Sequence, residues 1–503
     1  MGELLNNILI GIQNIFSPIG ILYIFGGAFI GLVLGALPGL NGGVLTLLLL
    51  PVMYKMDPAL ALGVLIAVHV ASEAGGCISS VLLGIPGTAS SIATVWDGYE
   101  FGKAGDPVRP LSVSAVVNYI VCGIGLIVSA IACATIAKLA TRLGPWEYAA
   151  MCFTAIAIII GLSKGNIIKG FVAVGLAILV SSVGMDAVYG TKRLTFGSVY
   201  LYDGFNVINI MLGMYGLNLI LSEFARRIKA DVSKEIKVRK FKWPSKDIND
   251  NKGAILRSFI IGLFVGFIPG MGGPTAAPLA YATEKGLSKN KEKWGRGEIR
   301  GVIAPEAAHA SSIGGALIPM IALGVPGDAV TAMFLVGLTV LGIDTGPMLM
   351  RNNPDIVYMI FVAGIIAATF VFLIQVFGMR LFPLLLKIPY QYLYPVILAF
   401  MLTSAYQVNN SIYGLFIVLG ACILGIIMDI CGIPKEPFIM TCILSSVFER
   451  NVRLAMNYSP SGAIEFLVRP VSCLFIIIGV CALVWNVAGS EVTARIRIKR
   501  SSE

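Results

Sequence analysis

PEAAHASSIGGALIPMIALGVPGDAVT, residues Pro305 to Thr331, is apolar enough for a lipid bilayer, yet it holds Pro305, Pro319, Pro326, several glycines, Glu306, His309 and Asp328. Proline inside a helix removes a backbone hydrogen bond, and its ring clashes with the preceding turn. Broken backbone at membrane depth is tolerated only where it is buried in protein or lines a watery cavity. The run is therefore expected to be interrupted and to form the wall of a site.

The run has a partner upstream. A shift of 240 positions lays His69 on His309, Ser72 on Ser312, Gly75 on Gly315 and Ile78 on Ile318. Leu83, Gly84, Pro86, Gly87 and Ala89 then fall on Leu323, Gly324, Pro326, Gly327 and Ala329, and His69 and His309 are the two histidines of the chain. Further upstream, GALPGLNGG (Gly35–Gly43) resembles GFIPGMGGP (Gly266–Pro274) at an offset of 231. The chain is an internal duplication, and a repeat of this length fixes the architecture before any local feature does.

Hydrophobic residues make up 57% of the chain and charged residues 13%, with a mean hydropathy of +0.87. A soluble domain is about one quarter charged, so the composition excludes one and points to an all-α polytopic membrane protein. The net charge of +10 does not imply a nucleic-acid partner, because the positives are clustered. Residues 223–257 hold eleven Lys/Arg against five acids, 284–300 hold six against three, and the chain closes on RIRIKR. Basic loops beside apolar segments mark the cytoplasmic face. Residues 1–54 contain no Lys or Arg, so the N-terminus is expected outside, with no removable signal peptide. The nine cysteines include no CxxC pair and read as small buried residues rather than a disulfide or metal frame.

A spanning helix needs about 20 apolar residues, and the apolar stretches give about 10–13 transmembrane or re-entrant helices. The expected division is a first membrane repeat over 1–222, a basic cytoplasmic linker over 223–254, a second membrane repeat over 255–487 and a basic tail over 488–503. One repeat follows an outside tail and the other an inside loop, so the repeats should be inverted. Secondary transporters built this way hold substrate and ion near midplane, at the ends of broken helices.

Four Pro-Gly corners recur: Pro38-Gly39, Pro86-Gly87, Pro269-Gly270 and Pro326-Gly327. A helix starting after such a corner presents free N–H groups and a positive dipole end, which suits carboxylates and phosphates. Thr88, Ser90, Ser91 and Thr331 can add hydroxyl donors. Asn41, Thr46 and Thr275, with unwound carbonyls, suit Na⁺, the one cofactor-like ion expected. Glu306 and Glu73 are intramembrane carboxylates, which default to function, as ion or proton sites. His69 and His309 read as packed imidazoles, substrate ligands or proton carriers. Asp328 reads as a helix cap or a site residue, Asp97 as part of an interfacial turn, and Arg469 as the boundary of the last apolar span. HExxH and GxxxxGK[ST] are absent, so neither a zincin site nor direct ATP coupling is expected.

At these residues the chain resembles the large membrane subunit of the tripartite tricarboxylate transporters. The resemblance rests on GALPGLNGG, LLGIPGTASS with WDGY, GFIPGMGG with AYATEK, and above all GVIAPEAAHASSIGGALIPMIALGVPG. It implies a prokaryotic inner-membrane carrier that works with a small membrane subunit and a periplasmic substrate-binding protein and is driven by an ion gradient. It also points to Gly39, Asn41 and Gly42 in the first repeat and to Gly270, Gly272 and Gly273 in the second, with Pro86, Gly87, Pro326 and Gly327. Relative to the family pattern, Thr88 stands where an acid is common, Ala308 and His309 where asparagines are common, and Asp328 where a small or uncharged residue is common. A tricarboxylate substrate therefore does not follow from the resemblance.

The expectation is an ion-coupled secondary transporter importing a small organic anion, di- or tricarboxylate-like. Its site would be the corners, with Thr88, Ser90, His309 and Asp328. Asn41, Thr46, Thr275 and Glu306 would serve ion coupling, with Na⁺ at Asn41 and the Gly270–Gly273 carbonyls. Membrane lipid and a second copy of the chain are further expected partners. The rival readings are a passive anion channel and an intramembrane enzyme using His, Glu and Asp.

Overall fold

The computed structural model describes residues 15–37, 42–53, 56–140, 142–161, 167–186, 188–226, 238–385, 390–458 and 462–484. The long helices, numbered in chain order, begin with α1 (Pro18–Gly35), α2 (Gly42–Met53), α3 (Pro58–Leu83), α4 (Ile92–Lys103) and α5 (Val108–Ala140). Then come α6 (Pro145–Gly161), α7 (Ile167–Ser181), α8 (Val207–Ser222), α9 (Lys252–Phe267), α10 (Gly272–Leu287) and α11 (Arg300–Leu323). The series ends with α12 (Ala329–Val340), α13 (Pro354–Gly378), α14 (Tyr390–Asn409), α15 (Tyr413–Cys431), α16 (Lys435–Tyr458) and α17 (Pro470–Val484). Among the described residues the one strand pairing is Gly184–Met185 with Lys192–Arg193.

Among the described residues, five helices are long and apolar enough to cross a membrane: α1, α3, α5, α15 and the stretch Pro354–Leu384 that contains α13. A sixth is formed if Gly462–Val468 and α17, bent by 86°, count as one span. Arg469 stands at that bend, 3.9 Å over the Trp146 ring and 3.3 Å from Glu147, so the last apolar helix begins after it. Several other apolar helices are only 10–17 residues long. The Pro-Gly corners explain part of this: α12 starts just after the 326–327 corner, and the 269–270 corner separates α9 from α10. Of the cysteines, Cys431 and Cys481 are exposed rather than buried.

The chain gathers into two compact units, 1–138 with 223–404 and 139–222 with 405–503. Each unit takes segments from both halves of the sequence. The first holds α1–α5 and α9–α13, and its two glycine-rich helix pairs are built alike. A Cβ on Gly31 would lie 2.8 Å from the Val68 carbonyl oxygen, and one on Gly35 would strike the backbone of Ser72. In the second repeat a Cβ on Gly262 would strike the Ala308 carbonyl, and one on Gly266 would come 2.5 Å from that of Ser312. In the reverse direction Gly75 faces Leu32 and Gly315 faces Leu263, at 2.6 and 2.5 Å. Every one of these contacts reproduces the 231 and 240 offsets. With no hydrophobic drive between helices in lipid, close backbone approach at small residues is what holds such pairs together.

α3 starts at an Asp57 cap, whose Oδ1 accepts from the backbone N–H of Ala59 and Leu60. α3 and α11 end in the same way, at left-handed Gly84 (φ 69°) and Gly324 (φ 72°). Glycine closes a helix there because it takes positive φ without penalty. The prolines Pro305 and Pro319 do not break α11, which runs unbroken from Arg300 to Leu323. Pro278 likewise lies inside α10 and Pro395 inside α14 without ending the helix. The interruption expected within 305–331 falls instead at Gly324–Asp328. The described part of the linker is tied to the helices: Arg109 pairs with Asp247 through two bonds of 2.7 and 3.0 Å, and Phe241 and Trp243 pack on Phe372.

In the second unit, Asp186 is buried at the head of the 184–193 hairpin, where its Oδ1 accepts from the Val188 and Tyr189 N–H groups and its Oδ2 lies 2.8 Å from Arg453. The Tyr189 N–H, then that of Val188, then Arg453 and Arg193 hold this carboxyl below the usual carboxylate range. A carboxyl depressed in the folded state adds stability that is whole above its unfolded value of about 3.9 and is lost as pH falls through the folded value. Asp186→Asn should therefore lower the Tm at neutral pH, and the gap to wild type should close under acid; differential scanning fluorimetry across pH checks both.

Candidate functional site

Three of the four Pro-Gly corners lie in described residues, and the first unit draws them together. The Gly270 N–H donates to the Gly327 carbonyl at 2.7 Å, joining the 269–270 and 326–327 corners. Gly270 (φ 82°) and Gly272 (φ 51°) both need the left-handed region, and a Cβ on Gly272 would sit 2.5 Å from that of Asp328. The third corner arrives from the first repeat: a Cβ on Gly273 would meet Ser90 Oγ at 2.7 Å and Ser312 Oγ at 3.2 Å. The short turn Ala89–Ser91 packs on α10, and α12 packs on α2. Thus the segment after each repeat's corner lies on the other repeat's glycine-rich helix start. The fourth corner, Pro38 and Gly39, lies with Asn41 outside the described residues. Gly42, next along, is buried with its α-carbon facing the Ser72 hydroxyl, as Gly273 faces that of Ser312.

Both later corners are capped alike. The Thr88 N–H donates to Ser91 Oγ at 3.2 Å, and the Asp328 N–H donates to Thr331 Oγ1 at 2.8 Å. Asp328 Oδ1 in turn accepts from the Thr331 N–H at 2.7 Å, so this carboxylate is the N-cap of α12. Among the described residues Thr88 Oγ1 has no hydrogen-bond partner; Thr88 and Ser90 are both buried. Thr46 donates its hydroxyl to the Gly42 carbonyl of its own helix at 2.8 Å, and Thr275 is half-buried on α10.

A second cluster lies within the helices. Glu306 is fully buried: its Oε1 accepts from Thr94 Oγ1 at 2.6 Å, and its Oε2 accepts from Ser114 Oγ at 2.7 Å and Asn118 Nδ2 at 2.8 Å. One turn on, His309 lies 3.5 Å from Glu306 and 3.8 Å from Glu73 of α3. His309 is thus set among carboxylates, not in a corner.

Two repeats packed through paired glycines, with interlocked Pro-Gly corners and this buried Glu-His run, are the substance of the resemblance noted above, and the tripartite tricarboxylate transporter TctA family matches residues 21–440. The chain belongs to the TctA family. A protein of Agrobacterium vitis described as "Uncharacterized 52.8 kDa protein in TAR-I ttuC' 3'region" is 28% identical over 492 residues, 96% of each chain. A second, "Uncharacterized protein in TAR-II ttuC' 3'region" of the same organism, is 29% identical over 228 residues, 44% of this chain and 92% of its own. No solved structure matches. As a TctA-family protein the chain is a component of a tripartite tricarboxylate transporter system and a multi-pass membrane protein.

Some residues of this TctA-family site carry no local sequence signal. Thr94, Ser114 and Asn118 are ordinary helix residues until α4, α5 and α11 assemble around Glu306. Asp97 is not in an interfacial turn. It lies in α4, fully buried, with Oδ1 accepting from the N–H groups of Gly295, Gly297 and Glu298 at 2.8–2.9 Å and Oδ2 accepting from Tyr281 at 2.8 Å. The three backbone donors stand just ahead of α11, so Asp97 fixes where the Glu306 helix begins.

Proposed function

We propose that this TctA-family chain is the large permease subunit that imports a small organic anion, di- or tricarboxylate-like, across the inner membrane. It would take the anion from a periplasmic binding protein, work with a small membrane subunit, and be driven by a Na⁺ or H⁺ gradient. The observation that carries this reading is the interlocking of the two repeats' corners. It places the N-terminal starts of α10 and of the Ala89–Ser91 turn, the buried Thr88 and Ser90 hydroxyls, and the close-packed Gly270–Gly273 backbone in one place. Helix starts and hydroxyls bind a carboxylate without a full positive charge in the membrane. Asp328 is left out of this anion site, since a capping carboxylate repels an anion; His309 belongs with the coupling residues. Because the site is shared between repeats, motion of one corner against the other would open it.

The test is a thermal-shift screen of the purified chain against di- and tricarboxylates. A ligand at 100 times its Kd stabilises the folded state by about 2.7 kcal/mol. One carboxylate should raise the Tm of wild type and of Thr46→Val, less that of Ser90→Ala, and not that of Gly273→Val, whose Cβ would press on the Ser90 and Ser312 hydroxyls. A shift of equal size in Gly273→Val would place the anion elsewhere.

A further inference from the structure

We propose that His309, held between Glu73 and Glu306, is a proton-binding site, and that its proton is the ion moved with the anion; the second half rests on the function proposed above. His309 Nδ1 lies 3.8 Å from Glu73 Oε2, and Nε2 lies 3.5 Å from Glu306 Oε2. The carboxylates come from the two different repeats, Glu73 on α3 and Glu306 on α11. His309 is 2% exposed, and among the described residues neither ring nitrogen has a hydrogen-bond partner, nor has Glu73 Oε2. A buried polar group without a partner is costly.

The donor count decides how this arrangement is satisfied. A neutral imidazole has one donor and one acceptor, whereas the imidazolium has two donors. With both carboxylates ionised, a ring with a carboxylate oxygen off each nitrogen is matched on both sides only when protonated. Without that proton, two carboxylates share a dry interior, the arrangement that burial and like charge disfavour together.

Among the described residues, His69 on α3 is the other histidine of these helices. His69, Glu73 and Cys77 share one face of α3, four residues apart. α4 and α5 offer Thr94, Ser114 and Asn118, and α13 offers Gln375. No lysine or arginine lines the cavity beside the ring. That cavity is about 10 Å³, the room one water needs. His309 also stands one turn before Ser312, the residue beneath Gly273 in the anion corner. A proton here pins α3 to α11 one turn away from the anion.

The two-histidine composition makes the test direct. In the full chain labelled with [¹⁵N]histidine, one imidazole should show both nitrogens protonated at neutral pH. That signal should persist in His69→Asn, vanish in His309→Asn, and turn into a neutral tautomer in Glu73→Gln. A neutral His309 at that pH in wild type, or a ring whose state ignores both Glu73→Gln and Glu306→Gln, overturns the proton site. In vesicles with the partner subunits, an inward proton gradient should drive carboxylate uptake with choline in place of Na⁺, and His309→Asn should abolish that drive. Uptake that requires Na⁺ and is indifferent to His309→Asn overturns the coupling role. A protonated His309 in a wild type that takes up nothing under any gradient upholds the proton site and overturns the transport reading.

Discussion

Glu306→Leu should give a protein that melts far below wild type and transports nothing, whereas Glu306→Gln should fold and still fail to transport. Three buried donors, from Thr94, Ser114 and Asn118, converge on the two oxygens of this carboxylate. Leucine removes the acceptor of the Thr94 and Ser114 hydroxyls and leaves Asn118 only the Ser114 oxygen at 3.2 Å; each buried donor left unpaired costs about 1–3 kcal/mol, a large part of the roughly 5–15 kcal/mol that holds a domain folded. Glutamine keeps the pattern: its oxygen accepts from Ser114 and Asn118, and its amide donates to the Thr94 hydroxyl. What glutamine removes is the charge that faces His309. Melting curves and vesicle uptake, read side by side on the two variants, separate the structural role of Glu306 from its role in coupling.

Gly266→Leu should yield no monodisperse protein, and Gly35→Leu should do the same in the other repeat. The Cβ of residue 266 would lie 2.5 Å from the Ser312 carbonyl oxygen, and that of residue 35 would strike the backbone of Ser72. A helix backbone cannot step aside as a flexible side chain does, so α9 would have to leave α11. Even the alanine variants are overpacked, at about 1–3 kcal/mol. Gly123 on α5 is the control: a Cβ there meets nothing within 4 Å, and Gly123→Ala should elute and melt like wild type. Size-exclusion profiles of the four proteins decide the matter.

The fold could be read from the sequence where the physics is local and repeated. Gly84 and Gly324, Thr88 and Asp328, and Gly35 and Gly266 do the same work in each repeat because the same backbone problem is solved twice, and an offset exposes such a pair. Pro305 and Pro319 misled for the opposite reason. The composition of α11 looks broken, but the helix packs along α9 and α10 and carries both prolines without interruption, as α10 carries Pro278 and α14 Pro395. Asp97 and the donors to Glu306 were hidden because their partners lie about two hundred residues away along the chain. WDGY reads as a turn until residues 295–298 are folded against it. Glu306 itself was legible, since a carboxylate in an apolar run is conspicuous; Thr94, Ser114 and Asn118, which hold it, were not.

Uptake by the assembled system is the most direct test of a shared anion site. Radiolabelled di- and tricarboxylates would be offered to vesicles carrying this chain and its small membrane subunit, with the periplasmic binding protein outside and an ion gradient imposed. At least one carboxylate should accumulate above its external concentration, only with all three proteins present, and Gly273→Val should reduce it to the level of empty vesicles. A carboxylate that merely equilibrates, or that accumulates as well through Gly273→Val as through wild type, would contradict a carrier whose anion site lies where the two repeats' corners meet.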